Sequence, residues 1–165
     1  MSLPRFAIVG HPNKGKSSIV ATLALYDEPN WVHPDAITLA LTAGRLRGTK
    51  SFVADASAAD LFIVACRNGK DLSLALIERA APGVSVAQQP IVDETKRMGT
   101  LTLDVPIDAK QLMPLSPVDL TFLSDCGAVA VTAESVGAAE AALAMTTAYA
   151  KDRIQFGSPI GKYQG

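Results

Sequence analysis

The sequence predicts an α+β protein: a small antiparallel β-barrel or sandwich followed by one long α-helix, preceded by a short strand–glycine-loop–helix segment. Three observations carry that expectation. From Ile37 to about Val105, short apolar runs alternate with turn residues. After Pro117 the chain is alanine-rich and free of proline up to about Ile154. Near the N-terminus an apolar run, Phe6 to Val9, leads straight into Gly10-His-Pro-Asn-Lys-Gly15-Lys16-Ser17.

The front segment comes first. Gly10 to Ser17 matches GxxxxGK[ST] in full. Such a P-loop works because its glycines let backbone N–H groups curl around phosphates, while a lysine reaches the outer phosphates and a hydroxyl holds Mg²⁺. Gly10, Gly15 and Lys16 are the candidate GTP-phosphate residues, and Ser17 is also the candidate Mg²⁺ ligand. Ser18 to Leu25 is the expected following helix. The segment resembles the opening of an Era-type P-loop GTPase. A working GTPase also needs DxxG and NKxD, and neither is found: Asn68-Gly-Lys-Asp71 is NGKD, and Gly127 follows Asp125 too closely.

Residues 26–36 hold two prolines and read as a joint. Beyond it, Ile37 to Ala56 gives two or three strands around a turn at Ala43-Gly44. Asp60 to Ala65 is a buried strand, Asn68 to Asp71 a hairpin turn, and Leu72 to Ile77 the returning strand. Pro82-Gly83 turns into Val84 to Ala87. Met98 to Val105 alternates, with Leu101, Leu103 and Val105 on one face. Short strands at this spacing suit a small barrel or sandwich. The helix that follows is expected to run for about thirty-five residues. Its apolar positions include Leu120, Leu123, Val131, Val136, Leu143 and Met145. Gly157 and Pro159 stop it and permit a fresh helical start. The predicted divisions are residues 1–25, 26–110 and 111–165.

Composition narrows the function classes. Net charge is −1, which argues against a nucleic-acid surface. Apolar residues are 48% of the chain but aromatics only 5%, so the core is built from Ala, Val, Leu and Ile. Cys66 and Cys126 lack metal-ligand spacing and read as buried thiols of a reducing compartment. No uninterrupted run of eighteen apolar residues suggests a membrane span, and no signal peptide is evident. A cytoplasmic location is expected.

The end of the long helix carries the densest pattern: Tyr149, Arg153, Gln155, Phe156, Gly157, Pro159, Ile160 and Gln164. In the acyl-CoA dehydrogenases the first long helix of the C-terminal domain ends in Tyr-x-x-x-Arg-x-Gln-Phe-Gly-x-Pro-Ile-x-x-x-Gln, after a central Leu-Gly or Val-Gly, here Val136-Gly137. This segment closely resembles that pattern. The β region is similar to the same family's middle domain at Gly48–Ala56, Ala59–Ala65, Ala81–Val84 and Leu103–Val105, with Leu23 to Pro29 as its first strand and Glu-Pro turn. The resemblance spans about residues 21–165. It meets the GTPase resemblance at Ala21–Leu25, which implies a chain joined from two sources.

The resemblance implies a flavoprotein in which FAD lies across the middle domain of one subunit and the C-terminal helices of another. Phe52, Val53 and Ala54 would then lie beside the flavin ring, and Arg153, Gln155 and Phe156 would reach a partner subunit's cofactor. Two departures weaken the ring contacts: Ala54 stands where a hydroxyl residue is common, and Asp27 where Thr or Ser often meets the ring. The parent reaction is oxidation of an acyl-CoA. Its base, in members that place it on the long helix, falls at Gly127, which has no side chain. Asp125 points elsewhere on a helix, and Glu134 and Glu140 read as solvated charges. No catalytic residue is assigned, and a truncated, catalytically incomplete enzyme that self-associates through the long helix is expected, with a P-loop GTP-binding protein and a non-enzymatic fragment as the alternatives.

Overall fold

The computed structural model describes residues 19–27 and 33–163. It divides into two compact units, residues 1–121 and 122–165. The first is built on strands β1 (Ala21–Ala24), β2 (Leu41–Thr42), β3 (Arg45–Ala54), β4 (Leu61–Asn68), β5 (Asp71–Glu78), β6 (Val84–Gln89), β7 (Met98–Pro106) and β8 (Leu112–Leu115). They form two four-stranded sheets, ordered β1-β4-β5-β8 and β2-β3-β7-β6. Neither sheet closes on itself, so the α+β expectation holds in its sandwich form and not as a barrel.

Alternation explains which side chains meet between the sheets. Phe62, Val64, Ala75 and Ile77 of the first sheet share one buried cluster with Leu46, Val53, Leu101, Leu103 and Val105 of the second. Successive strand residues face opposite ways, so Leu101, Leu103 and Val105 turn inward while Thr102 stays outside. Hairpin turns close the ladders. Ala43 and Gly44 both adopt positive φ, 49° and 73°, joining β2 to β3 with the twist that two-residue hairpins favour. Asn68 pairs with Asp71 around Gly69-Lys70, as the sequence predicted.

Two expectations at the start of this unit need correction. Within the helix expected over Ser18–Leu25, the described residues hold a strand instead: Ala21–Ala24 is β1. Nor are the sheets purely antiparallel, because β1 runs parallel to β4, with Ala21 opposite Leu61. The β-branched and apolar residues of ATLA suit a half-buried sheet position, and pairing with β4 overrides local helix propensity.

The long helix α1 (Pro117–Asp152) has 36 residues. Its start is well specified. The Ser116 Oγ accepts from the Asp119 N–H at 3.1 Å, and the Asp119 carboxylate accepts from the Ser116 N–H at 3.0 Å. Pro117 then takes the first helical position, where its missing N–H costs nothing. Leu120 is its buried residue. Beyond Thr121, the second unit contains the rest of α1, then a hairpin of β9 (Ile154–Gln155) and β10 (Ser158–Pro159), then a 3-10 turn at Ile160–Tyr163. The fresh helical start expected after Gly157 is thus a two-residue hairpin leading into one short turn.

Two properties of α1 depart from the sequence reading. Cys126 is exposed, not buried. The apolar residues do not gather on one side: Val129, Val131, Val136, Leu143 and Met145 are all exposed. By length and composition alone α1 is apolar enough to cross a membrane. No apolar run in α1 reaches eighteen residues, because Gly127, Thr132, Glu134, Ser135, Gly137 and Glu140 interrupt it.

Candidate functional site

The stretch predicted to face a flavin lies at the end of β3. β3 and β7 pair in register from Arg45 to Lys50, slip between Lys50 and Val53, and pair again at Val53–Gly99 and Ala54–Met98. The slip is a bulge that leaves Ser51 and Phe52 outside the β7 ladder. Phe52 takes φ 52°, in the left-handed region that bulky residues rarely adopt. Its N–H donates to the Gln89 side-chain oxygen at 3.0 Å. Ser51 is held from the other side, its N–H donating to Tyr26 O at 2.8 Å. Val53 is fully buried and pins the strand to the core. Ala54 is exposed, and its carbonyl accepts from the Thr22 hydroxyl at 2.7 Å. Phe52 is half-buried, so an aromatic ring and a small methyl stand at the rim of one rigid bulge.

Asp27 lies close by in sequence pairing, one residue beyond the Tyr26–Ser51 bridge. Its carboxylate is not free to meet a ligand. One oxygen forms an ion pair with the Lys50 ammonium, which is itself 0% exposed. The other accepts from the N–H and hydroxyl of Thr38 and from the Leu39 N–H, the last at 2.9 Å. Lys50 also donates to Leu25 O at 3.2 Å. Burial works to raise the Asp27 pKa, but the hydrogen bonds from Lys50, Thr38 and Leu39 outweigh it and hold the carboxyl below its ordinary value. Burial lowers Lys50, and the Asp27 charge restores only part. The nearby Cys66 thiol is pushed up to about 11 by burial, with Lys50 pulling the other way, so it stays protonated and unreactive at neutral pH.

Sequence reasoning missed Lys50, Thr38 and Gln89. A signal for Lys50 was available. Leu46, Gly48 and Lys50 share one face of β3, the face that Leu46 buries, so a lysine there needs a buried anion.

The second group of predicted residues sits in the second unit. Arg153 N–H donates to Tyr149 O at 2.9 Å, and Arg153 O accepts from the Ile160 N–H at 2.9 Å. Gln155 pairs with Ser158 across the hairpin. Phe156 and Gly157 form its tip with φ 50° and 76°, and Phe156 is 96% exposed. Arg153, Gln155 and Phe156 are therefore brought together on one exposed hairpin. Gly10, Gly15, Lys16 and Ser17 lie outside the described residues. Among the described residues, one surface recess of the first unit is edged by Ser57, Gln88 and Arg97 and another by Asp27, Thr38 and Arg47; neither is lined by Phe52, Val53 or Ala54. Among the described residues no group of His, Cys, Asp or Glu could hold a metal ion.

No protein-family model matches the chain. A short-chain acyl-CoA dehydrogenase of Megasphaera elsdenii is 28% identical over 130 residues, 72% of this chain and 34% of that relative. The solved butyryl-CoA dehydrogenase of the same organism superposes with a TM-score of 0.74 at 27% identity, covering 88% of this chain and 42% of its own. The chain is related to the acyl-CoA dehydrogenases. It spans about a third of the length of the curated relatives it matches. A glutaryl-CoA dehydrogenase from Mycobacterium smegmatis, solved in complex with FADH2, shares the fold with a TM-score of 0.74 at 20% identity, covering 88% of this chain and 40% of its own. A match covering 88% of 165 residues leaves out too few to omit the 36-residue α1 whole.

Proposed function

We propose that this chain binds FAD at the β3 bulge and belongs to the machinery that oxidises acyl-CoA thioesters. The observation that carries the reading is the conjunction, on a chain related to that family, of a left-handed Phe52 in a bulge with the exposed Ala54 beside it. These residues fit a flat heteroaromatic ring. Phe52 offers an aromatic surface and an N–H outside the strand ladder, Ala54 adds no bulk, and buried Val53 fixes both. FAD, when bound, supplies the hydride-accepting ring of the family's reaction.

The residues of this chain divide the binding work. Phe52 and Ala54 border the ring from the sheet. Arg153, Gln155 and Phe156, grouped on the exposed hairpin, suit the pyrophosphate and adenine end of a cofactor held by a second copy. A planar guanidinium makes paired, charged hydrogen bonds to phosphate oxygens. Asp27 stands apart from this set, because Lys50 and the Thr38–Leu39 backbone already occupy its carboxylate. No described carboxylate is assigned as the base: Gly127 has none to offer, and exposed Asp125 sits two residues away on α1.

Homo-oligomerisation belongs to the same reading. The expected partner is a second copy engaging through α1, and the acyl-CoA is the expected substrate. The test is direct. Purified protein titrated with FAD is expected to quench flavin fluorescence saturably and to retain flavin bands through gel filtration. Addition of butyryl-CoA without bleaching of the bound flavin is the expected companion result, since no described carboxylate is assigned as the base. Protein that stays colourless with FAD in large excess would overturn the reading.

A further inference from the structure

The hydrogen bond from Phe52 to Gln89 is unusual in how it is made. The two residues are 37 apart, and β7 lies between their strands. Gln89 is the last residue of β6 and pairs with Met98, so its side chain has to cross β7 to reach β3. The adjacent β7 position is Gly99, which pairs with both Val53 and Gln88. Gly99 lies on the inward face with Leu101, where a Cβ would stand 2.7 Å from the Ala56 Cβ, so the Gln89 side chain crosses on the opposite face, the one that carries Met98 and Thr100.

The conformation at Phe52 does not need this bond to exist. The bulge is set by the register slip, by the Tyr26–Ser51 bridge and by buried Val53. A single neutral hydrogen bond on a half-buried side chain contributes little net stability. Ordering a long glutamine side chain opposes even that. A strained residue whose N–H faces out of the ladder, met only by a movable amide, fits a binding position better than a structural one.

The chemistry of the amide identifies what it stands in for. A glutamine side-chain carbonyl and the ring carbonyls of a flavin's pyrimidine portion are both amide-type acceptors with matching lone-pair directions. We propose that Gln89 is an internal surrogate for that ring carbonyl, holding the Phe52 N–H when no flavin is bound and yielding it when the ring arrives. The inference rests on the flavin-binding reading above and adds to it a residue that competes with the cofactor. Gln89 thereby keeps the bulge N–H paired in the empty protein and tunes flavin affinity downward.

The test compares the full-length chain with Gln89→Ala and Gln89→Glu, using FAD fluorescence quenching for affinity and amide exchange at Phe52 for the empty state. Competition predicts an order. Gln89→Ala frees the N–H, so FAD binds about three- to tenfold tighter and the Phe52 amide exchanges faster in the empty protein. Gln89→Glu offers a charged acceptor, so FAD binds about tenfold weaker and the amide is better protected. Weaker or unchanged binding in Gln89→Ala, with wild type binding FAD, overturns the surrogate role and leaves the flavin reading intact. Failure of all three proteins to bind FAD overturns the flavin reading and the surrogate with it.

Discussion

Lys50 and Asp27 form an ion pair with almost no access to solvent: the lysine side chain is 0% exposed and the aspartate 9%. The pair joins the segment after β1 to the middle of β3 and, through Thr38 and Leu39, to the segment entering β2. Removing one partner strands the other. Lys50→Met is expected to destabilise the protein by about 3–5 kcal/mol, the usual cost of a buried charge left alone. Asp27→Asn keeps an acceptor for the Thr38 and Leu39 N–H groups but leaves a buried ammonium. The double variant, with neither charge, should lose less than the sum of the two, with a coupling of at least about 1 kcal/mol. Urea unfolding of the four proteins measures it, and strict additivity would contradict the pairing.

The same pair sets an acid dependence. The folded Asp27 pKa lies below its ordinary value of 3.8. Below that ordinary value the unfolded chain therefore binds the proton more readily than the folded one. The stabilisation is fully present above about pH 5 and is lost as pH falls through the folded value. Asp104, held low by hydrogen bonds from Arg45, and Asp119, held low by those from Ser116, contribute in the same direction. Asp27→Asn removes one contribution only. Its stability gap from wild type should narrow steadily between about pH 5 and pH 2. A gap that stays constant over that range would show that Asp27 does not titrate with folding.

The legible part of this protein was what period-2 alternation and turn chemistry encode. Leu101, Leu103 and Val105 declare a buried face, Gly69-Lys70 and Ala43-Gly44 declare turns, and alanine-rich residues 118–152 declare a helix. What was hidden depends on partners far away in sequence. Ala21–Ala24 becomes a strand only because Leu61–Val64 lies alongside it, 40 residues away. The Phe52 bulge carries no glycine or asparagine to mark it; it exists because β3 and β7 slip register. Alternation puts Lys50 on the buried face of β3, but its partner Asp27 is 23 residues away and only the fold brings the two together. Cys126 was misread because an alanine-rich helix with apolar residues on every side gives no face by which to judge burial.

Ala54 offers a gain-of-function test of the flavin reading. Its methyl is exposed at the rim of the bulge and cannot donate a hydrogen bond. Ala54→Thr restores a hydroxyl at a strand position where a β-branched residue is well tolerated. FAD affinity should rise about three- to tenfold, the worth of one added hydrogen bond, with stability changed by less than about 0.5 kcal/mol. The comparison is made by fluorescence titration, with thermal unfolding as the control. Weakened FAD binding at unchanged stability would mean that Ala54 does not border the ring.

The self-association proposed for α1 has a physical cause. An exposed helix of 36 residues that shows Val136, Leu143 and Met145 to solvent gains nothing from those side chains unless something covers them. Val136 and Leu143 are seven residues apart, two helical turns along one face. Replacing both with glutamate places two like charges where a second copy would pack, while leaving helix propensity nearly unchanged. In sedimentation velocity, the wild-type chain should associate at micromolar concentration and Val136→Glu/Leu143→Glu should run as a monomer. The far-ultraviolet helix signal should fall in the variant, because an unpartnered alanine-rich helix is only marginally stable in water. Wild type that remains monomeric at tens of micromolar, with its helix signal intact, would remove the second copy as the cover for this helix.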